Sequence, residues 1–262
     1  MSTILDKIVK KTYERVCELK EKAPLNEIKE LANSIPKGDF EFEKALKTDD
    51  IAFICEIKKA SPSKGIISKD FDYIKIAKEY EKAGASAISC LSEPYWFLGS
   101  DKHIKEISQN VSIPILRKDF TIDEYQIYEA KTIGASAVLL ICSILDEKTL
   151  CNYIKIADEL KLSTLVEAHN EEEIKMAQRA GARVIGVNNR DLKTFNVDIN
   201  NSIKLRHFAN DDIIFVSESG IKTAQDIENL RKNKINAVLI GETLMRAENK
   251  TLELMKLKGK NV

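Results

Sequence analysis

The chain has 262 residues, 44% of them hydrophobic, enough for one large core or two smaller domains. Its 41 basic and 41 acidic residues balance, so it carries no electrostatic footprint for nucleic acid or an anionic membrane. Five cysteines (Cys17, Cys55, Cys90, Cys142, Cys151) lack metal-ligand spacing, and three of them lie in or beside apolar runs, which fits a reducing compartment. The N-terminus, MSTILDKIVKK, is amphipathic and charged, unlike a signal peptide, and no apolar stretch approaches the length of a membrane span. A cytoplasmic protein is expected.

Residues 1 to 48 read as helical. Ile4, Ile8 and Thr12, with Leu5, Val9 and Val16, fall at helical spacing, and Phe40, Phe42 and Leu46 continue the apolar theme. No Gly/Ser/Pro-rich linker follows. The expectation is therefore one domain over 1–262, with 1–48 as a helical extension packed on it.

The first strand signal is Ile51-Ala52-Phe53-Ile54-Cys55. Beyond it, a weak internal repeat organises the chain: AGASAISCL at 83–91, IGASAVLLI at 133–141, AGARVIGVN at 180–188 and KINAVLIGE at 234–242. In each, a helical pattern ends and an apolar strand follows, and Gly84, Gly134 and Gly181 stand where a helix C-cap needs positive φ. Shorter strands are predicted at 113–116, 163–166 and 213–216, making eight. Helical periodicity fills 73–82, 124–133, 146–160, 171–180 and 223–233, and the charged tail from Thr251 should close the last helix. Eight strands alternating with helices predict a closed (β/α)8 TIM barrel. The alternative, an open doubly wound sheet, calls for a G-x-G-x-x-G turn after its first strand, and residues 55–65 contain none.

Active sites of such barrels lie at the C-terminal strand ends, which turns the sequence into an ordered set of candidates. Strand one offers Glu56, Lys58 and Ser61. An isolated E-x-K of this kind is an ordinary strand-end ion pair; here further strand ends carry groups of the same type. Strand two offers Ser92, Glu93 and the aromatic loop Tyr95-Trp96-Phe97. Strand three offers Arg117, Lys118, Asp119 and Phe120; strand five Glu167; strand six Asn188, Asn189 and Arg190. Strand seven offers Glu218, Ser219 and Gly220, and strand eight Gly241 and Glu242. Ser219-Gly220 with Gly241 matches the usual barrel phosphate site, although two ordinary glycine turns would read the same way. Two lysines and three glutamates converging on one mouth suit proton transfer. His169, following Glu167 near a loop, reads as a surface or capping residue, and three scattered histidines make no metal site.

The blocks EIKKASPSKG, LRKDF, VEAH, IGVNNRDL and SESGI, in this order, resemble the indole-3-glycerol-phosphate synthase family over residues 51–246. The resemblance implies ring closure of 1-(2-carboxyphenylamino)-1-deoxyribulose 5-phosphate in tryptophan biosynthesis, with loss of carbon dioxide and water. It implies Lys118 as general acid at the keto oxygen. Glu167 would stabilise the developing anilino cation and take part in proton removal. Glu56 and Lys58 would form the neighbouring pair, with Asn188 at the substrate hydroxyls and Arg190 orienting the carboxylates. Ser61, Ser219, Gly220, Gly241 and Glu242 would hold the phosphate, and Phe120 with the 95–97 loop the aromatic ring. Glu218 belongs among the substrate contacts.

The chemistry asks for the same types: a proton donor to activate the ketone, a cation for the ring carboxylate and a fixed carboxylate for the nitrogen cation. It needs no redox step, so no metal or organic cofactor is expected. Ser92 and Asn189 depart from the family's usual Thr and Ser. Many relatives carry a fused phosphoribosylanthranilate isomerase; a chain ending after one barrel is expected to lack it. A phosphorylated small molecule is the expected partner, with the chain a monomer or weak homodimer. Two other readings stay open on sequence: a sugar-phosphate isomerase or lyase on the same fold, and a non-catalytic phosphometabolite-binding subunit.

Overall fold

Eight parallel strands close on themselves in the computed structural model, which describes residues 3–191 and 195–260. They are β1 (Ala52–Ile57), β2 (Ala87–Leu91), β3 (Ile115–Lys118), β4 (Ala137–Ile141), β5 (Ser163–Ala168), β6 (Val184–Asn188), β7 (Ile214–Glu218) and β8 (Ala237–Ile240). Each pairs with its neighbours in chain order, and β1 closes the ring between β8 and β2, with Ile54 opposite Leu239 on one side and Ala87 on the other. Successive strand residues point to opposite faces, so each strand divides its apolar residues between two compartments. Ile54, Leu116, Leu139, Leu165, Val184 and Val216 fill the barrel interior. Phe53, Cys55, Ile88, Cys90, Val138 and Phe215 pack outward against the helices.

The helices on the outside are α4 (Tyr73–Lys82), α5 (Asp101–Ser108), α6 (Glu124–Thr132), α7 (Glu147–Glu159), α8 (Glu171–Arg179), α9 (Asn200–Leu205), α10 (Ala224–Lys232), α11 (Glu242–Arg246) and α12 (Lys250–Leu257). Gly84, Gly134 and Gly181 sit at φ +82°, +82° and +92°, as a left-handed helix stop requires.

Three helices precede the barrel: α1 (Ile4–Lys22), α2 (Leu25–Ser34) and α3 (Glu41–Leu46). Thr3 and Asp6 form a capping box on α1, and its Ile8, Thr12 and Val16 are buried. α3 lies at the N-terminal end of the strands, where Phe42 and Leu46 enter the interior cluster. Burying two such side chains contributes about 1.5–3 kcal/mol each. The Glu43 amide donates to Ser163 Oγ at 3.3 Å, and Arg183 donates to both Glu43 oxygens at 2.9 Å. α1 reaches the opposite end, where Arg15 Nη2 stands 2.7 Å from Asp119 Oδ2, just past β3.

Several boundaries differ from the sequence reading. Four strands run further toward the mouth, so that Glu56, Lys118, Glu167 and Glu218 are strand residues. Residues 61–65 are not a plain loop: Ala60–Ser61 pairs antiparallel with Gly65–Ile66, and Gly65 turns the chain at φ +62°. Helices α5, α9 and α11, of eight, six and five residues, were not read from sequence, each being too short to repeat a helical pattern over more than about two turns. Leu192, the last residue of the IGVNNRDL block, lies outside the described residues, as do Met1, Ser2, Asn261 and Val262.

Candidate active site

A cavity of ≈ 680 Å³ opens at the C-terminal strand ends, and it gathers residues from both the barrel and α1. Most of the residues singled out from the sequence line it: Glu56, Lys58, Ser61, Lys118, Phe120, Glu167, Asn188, Arg190, Glu218, Ser219, Gly220, Gly241 and Glu242. Ser92, Glu93, Tyr95, Trp96, Arg117 and Asn189 do not. Ile4, Leu5 and Ile8 of α1 line it as well.

Alternation along β3 decides which of three consecutive charges enters. Leu116 belongs to the interior, so Lys118 follows it inward and Arg117 and Asp119 point out. Lys118 Nζ lies 3.5 Å from Glu167 Oε2 and 3.7 Å from Glu218 Oε2. Arg117, fully enclosed, donates to Gln126 O at 2.8 Å, Glu129 Oε2 at 2.7 Å and Asp101 Oδ2 at 3.0 Å. Asp119 takes Arg15 and Ser92 Oγ. The inward charge faces the cavity, and the outward pair tie helices to the sheet.

The interior charges shift one another. Burial works against the Lys118 ammonium, yet Glu167, Glu218 and Glu56 outweigh it and raise its pKa well above the ordinary lysine value. Burial would also raise Glu167, but Lys118, His169 and Asn188 reverse the sign and hold it well below the usual carboxylate range. Glu218 goes the other way. Burial, opposed by Lys118 but reinforced by Glu167 and Glu56, pushes it up to about 8. Its Oε1 has no hydrogen-bond partner among the described residues. The mouth thus sets two carboxyl groups of opposed proton affinity, Glu167 lowered and Glu218 raised, each within 4 Å of the Lys118 ammonium nitrogen.

Glu56 on β1 and Lys58, the residue just past its end, form a close ion pair. Their space depends on Gly241, where a Cβ would stand 2.3 Å from Glu56 Oε1 and 3.1 Å from Lys58 Nζ. Asn188 is oriented by its neighbours. Its Oδ1 accepts from Ser219 Oγ at 2.9 Å and from the Arg190 amide at 3.1 Å, which turns Nδ2 toward Glu167 Oε1 at 3.4 Å. Arg190 approaches Glu242 at 4.0 Å, and among the described residues it makes no ion pair with the interior carboxylates it was expected to orient. Asn189 is buried, donating to Ser217 Oγ at 3.0 Å and Ser219 O at 3.1 Å and accepting from the Ser202 amide at 3.0 Å. It braces the sixth loop against the seventh.

Of the aromatic loop, only Phe97 reaches the cavity. The Glu93 carboxylate accepts from the amides of Tyr95, Trp96 and Phe97, which curls the loop tightly. Phe97 then faces Phe120 at 6.1 Å between ring centroids, while Tyr95 is 48% exposed beneath Lys11. The sequence reading overlooked one neighbour of the acid–base groups. His169, set aside as a surface residue, is half-buried with Nε2 3.2 Å from Glu167 Oε1 and Nδ1 3.1 Å from Glu173 Oε2. The sequence held only a partial signal: Asn170 caps α8 and Glu173 is its third residue, a position whose carboxylate folds back over the helix start. Among the described residues, no group of three or more His, Cys, Asp or Glu side chains is arranged to hold a metal ion, and no helix is long and apolar enough to cross a membrane.

The fold and cavity together define a (β/α)8-barrel enzyme with acid–base groups at its mouth. The likeness to solved structures reaches the fold alone: a 3-hexulose-6-phosphate synthase superposes with a TM-score of 0.66 at 15% identity over 80% of this chain and 99% of that one. Sequence comparison goes further. The family model for indole-3-glycerol phosphate synthase matches residues 5–257. Proteins of that name are 61% identical in Ruminiclostridium cellulolyticum (98% of this chain, 99% of the other), 51% identical in Lachnoclostridium phytofermentans (98% and 99%) and 56% identical in Endomicrobium trichonymphae (97% and 99%). The chain belongs to the indole-3-glycerol phosphate synthase family. Its reaction is that of a decarboxylating lyase in tryptophan biosynthesis, acting on a phosphorylated small molecule.

Proposed function

We propose that Lys118 is the general acid of the ring closure, donating to the substrate's keto oxygen while Glu167 stabilises the anilino cation and removes the ring proton. One observation carries the reading: an inward ammonium, charged and shared between two carboxylates at 3.5 and 3.7 Å, at the centre of the cavity. Glu56 and Lys58 form the flanking pair, with Lys58 serving the ring carboxylate or the departing hydroxyl. Asn188 bonds the substrate hydroxyls. Phe120 and Phe97 bracket the aromatic ring. The phosphate goes to Ser61, Ser219, Gly220, Gly241 and the Glu242 backbone, beside a rim that also carries Lys64, Arg190, Lys222 and Arg246. Glu218 belongs with the acid–base groups as much as with the substrate contacts.

The test is Lys118→Met against Lys118→Arg. A donor acting in the transition state contributes roughly 10²–10⁴-fold, so Lys118→Met should lose that much kcat with KM within about tenfold, its binding contacts being elsewhere. Lys118→Arg keeps the charge but is a far poorer acid, and should be nearly as inactive. Near-normal turnover by Lys118→Arg would reduce the role to electrostatics.

A second reading is favoured by Glu218, which holds a proton at neutral pH and is better matched as a donor than a lysine of raised pKa. If Glu218 is the donor, kcat should fall as the pH rises through about 8, and Glu218→Gln should abolish that limb. If Lys118 is the donor, kcat should stay flat there. Residues 1–262 act as a single domain, monomeric or weakly dimeric. Free thiols at all five cysteines suit the cytoplasm.

A further inference from the structure

Glu167 is gripped from both sides. Its Oε2 faces Lys118 at 3.5 Å, while Oε1 faces His169 Nε2 at 3.2 Å and Asn188 Nδ2 at 3.4 Å. His169 is itself gripped. Glu173 Oε2 accepts the His169 backbone amide at 2.8 Å and stands 3.1 Å from Nδ1, and its other oxygen takes Asn170 Nδ2 at 3.2 Å. Both ring nitrogens therefore face carboxylates. Nδ1 is hydrogen-bonded to Glu173, whereas Nε2 meets Glu167 as a charge contact outside hydrogen-bond alignment; only the imidazolium, with a positive N–H at each nitrogen, is attracted to both carboxylates. The surroundings fit that species: burial works against it, but Glu167 and Glu173 outweigh burial and push His169 up to about 10. The other groups near this corner are Lys118 from β3, Asn188 from β6, Glu218 from β7 and Cys142 just past β4, whose thiol donates to Glu173 O at 3.6 Å.

We propose that His169, clamped by Glu173, is a positioning residue for the ring closure: it holds Oε1 of Glu167 and leaves Oε2, on the Lys118 side, as the oxygen that meets the substrate. The proposal rests on the assignment of Glu167 made above. Two consequences follow from the geometry. The carboxylate is held in one rotamer, so its reacting oxygen needs no search. A second cation beside it also lowers its proton affinity, so a proton taken from the ring is released again before the next turnover.

The test uses His169→Gln, Glu173→Gln and Glu167→Gln in the full-length enzyme, assayed across pH by indole fluorescence. His169→Gln keeps a donor near Nε2 but loses the charge. Its kcat should fall up to roughly 100-fold, the scale of an ångström-level misplacement, with KM within a few-fold. The acid limb of its kcat profile should move to higher pH as Glu167 regains proton affinity. Glu173→Gln leaves the cavity untouched and removes the clamp. His169 should then lose its proton earlier, and the alkaline limb should move to lower pH. Should His169→Gln fail to fold, Glu173→Gln alone decides.

A purely structural role would lower Tm in these variants while leaving both limbs and kcat per folded enzyme unchanged, and that result overturns the proposal. If Glu167→Gln is inactive while the other two behave as wild type, the positioning role falls and the Glu167 assignment survives. If Glu167→Gln is itself active, the assignment falls and the proposal with it.

Discussion

Gly186 offers a test of how tightly the interior carboxylates are placed. It lies on β6, facing the barrel, and a Cβ there would stand 2.1 Å from Glu218 Oε1 and 3.1 Å from Leu165 Cδ1. An ordinary contact begins at 3.4 Å, so Gly186→Ala must move the carboxylate oxygen by about 1.3 Å, and a displacement of about 1 Å costs up to roughly 100-fold in rate. Two terms oppose each other in stability. Restricting the unfolded chain gains about 0.4–1 kcal/mol, whereas overpacking a filled interior costs about 1–3 kcal/mol. The second is larger, so a net loss of about 1–2 kcal/mol is expected, or about 2–8 °C in Tm for a chain of this size. Gly181→Ala is the control. It meets nothing within 4 Å but sits at φ +92°, so it should lose about 1–2 kcal/mol from backbone strain alone and keep its kcat. Steady-state kinetics and thermal melts on both variants check this. Wild-type kcat in Gly186→Ala would refute the premise that the position of Glu218 matters to the chemistry.

Two further outcomes are expected. Ser219 sits at φ +69°, a conformation that aspartate tolerates, so Ser219→Asp should raise KM by placing a negative charge where the phosphate is proposed to bind, and should weaken competition by inorganic phosphate. Unchanged values would move the phosphate elsewhere. Stability of the unliganded enzyme should also fall on the alkaline side. Glu218 (ordinarily 4.5, folded about 8) and His169 (ordinarily 6.5, folded about 10) both bind protons more tightly when folded. The contribution of each is complete below the unfolded value and is lost as pH rises through the folded one. Tm should therefore decline between about pH 4.5 and 10, and Glu218→Gln should flatten the part of the curve between 4.5 and 8. A profile identical to wild type in that variant would contradict the raised affinity.

What could be read from the sequence was whatever a short period encodes. Alternation requires Lys118 and its neighbours Arg117 and Asp119 to face opposite ways, and the structure turns Lys118 inward; helical spacing gave α4 its observed limits, Tyr73–Lys82. What escaped depends on elements meeting in space. Tyr95 and Trp96 were grouped with Phe97 because the three are contiguous, but Glu93 curls the chain so that only Phe97 is aimed inward. Arg190 was expected among the carboxylates and instead approaches Glu242 on a neighbouring loop. The role of His169 needed Glu173, four residues on and across a helix cap. Gly186 did leave a trace, since a lone glycine inside a strand signals a close approach, but nothing in the sequence says that Glu218 is what approaches.

The first three helices give the acid–base groups their medium. α3 seals one end of the barrel with Phe42 and Leu46, and the first turns of α1 shelter the other with Ile4, Leu5 and Ile8. Between them lies the pair Lys118 and Glu167, 3.5 Å apart. At that spacing two unit charges interact by about 5 kcal/mol at an effective dielectric constant of 20 but only about 1 kcal/mol in bulk water. The opposed proton affinities of Glu167 and Glu218, on the strand ends either side of β6, depend on water being kept from both. Among its described residues the N-terminal segment makes no ion pair with these carboxylates, yet it lowers the dielectric in which they differ.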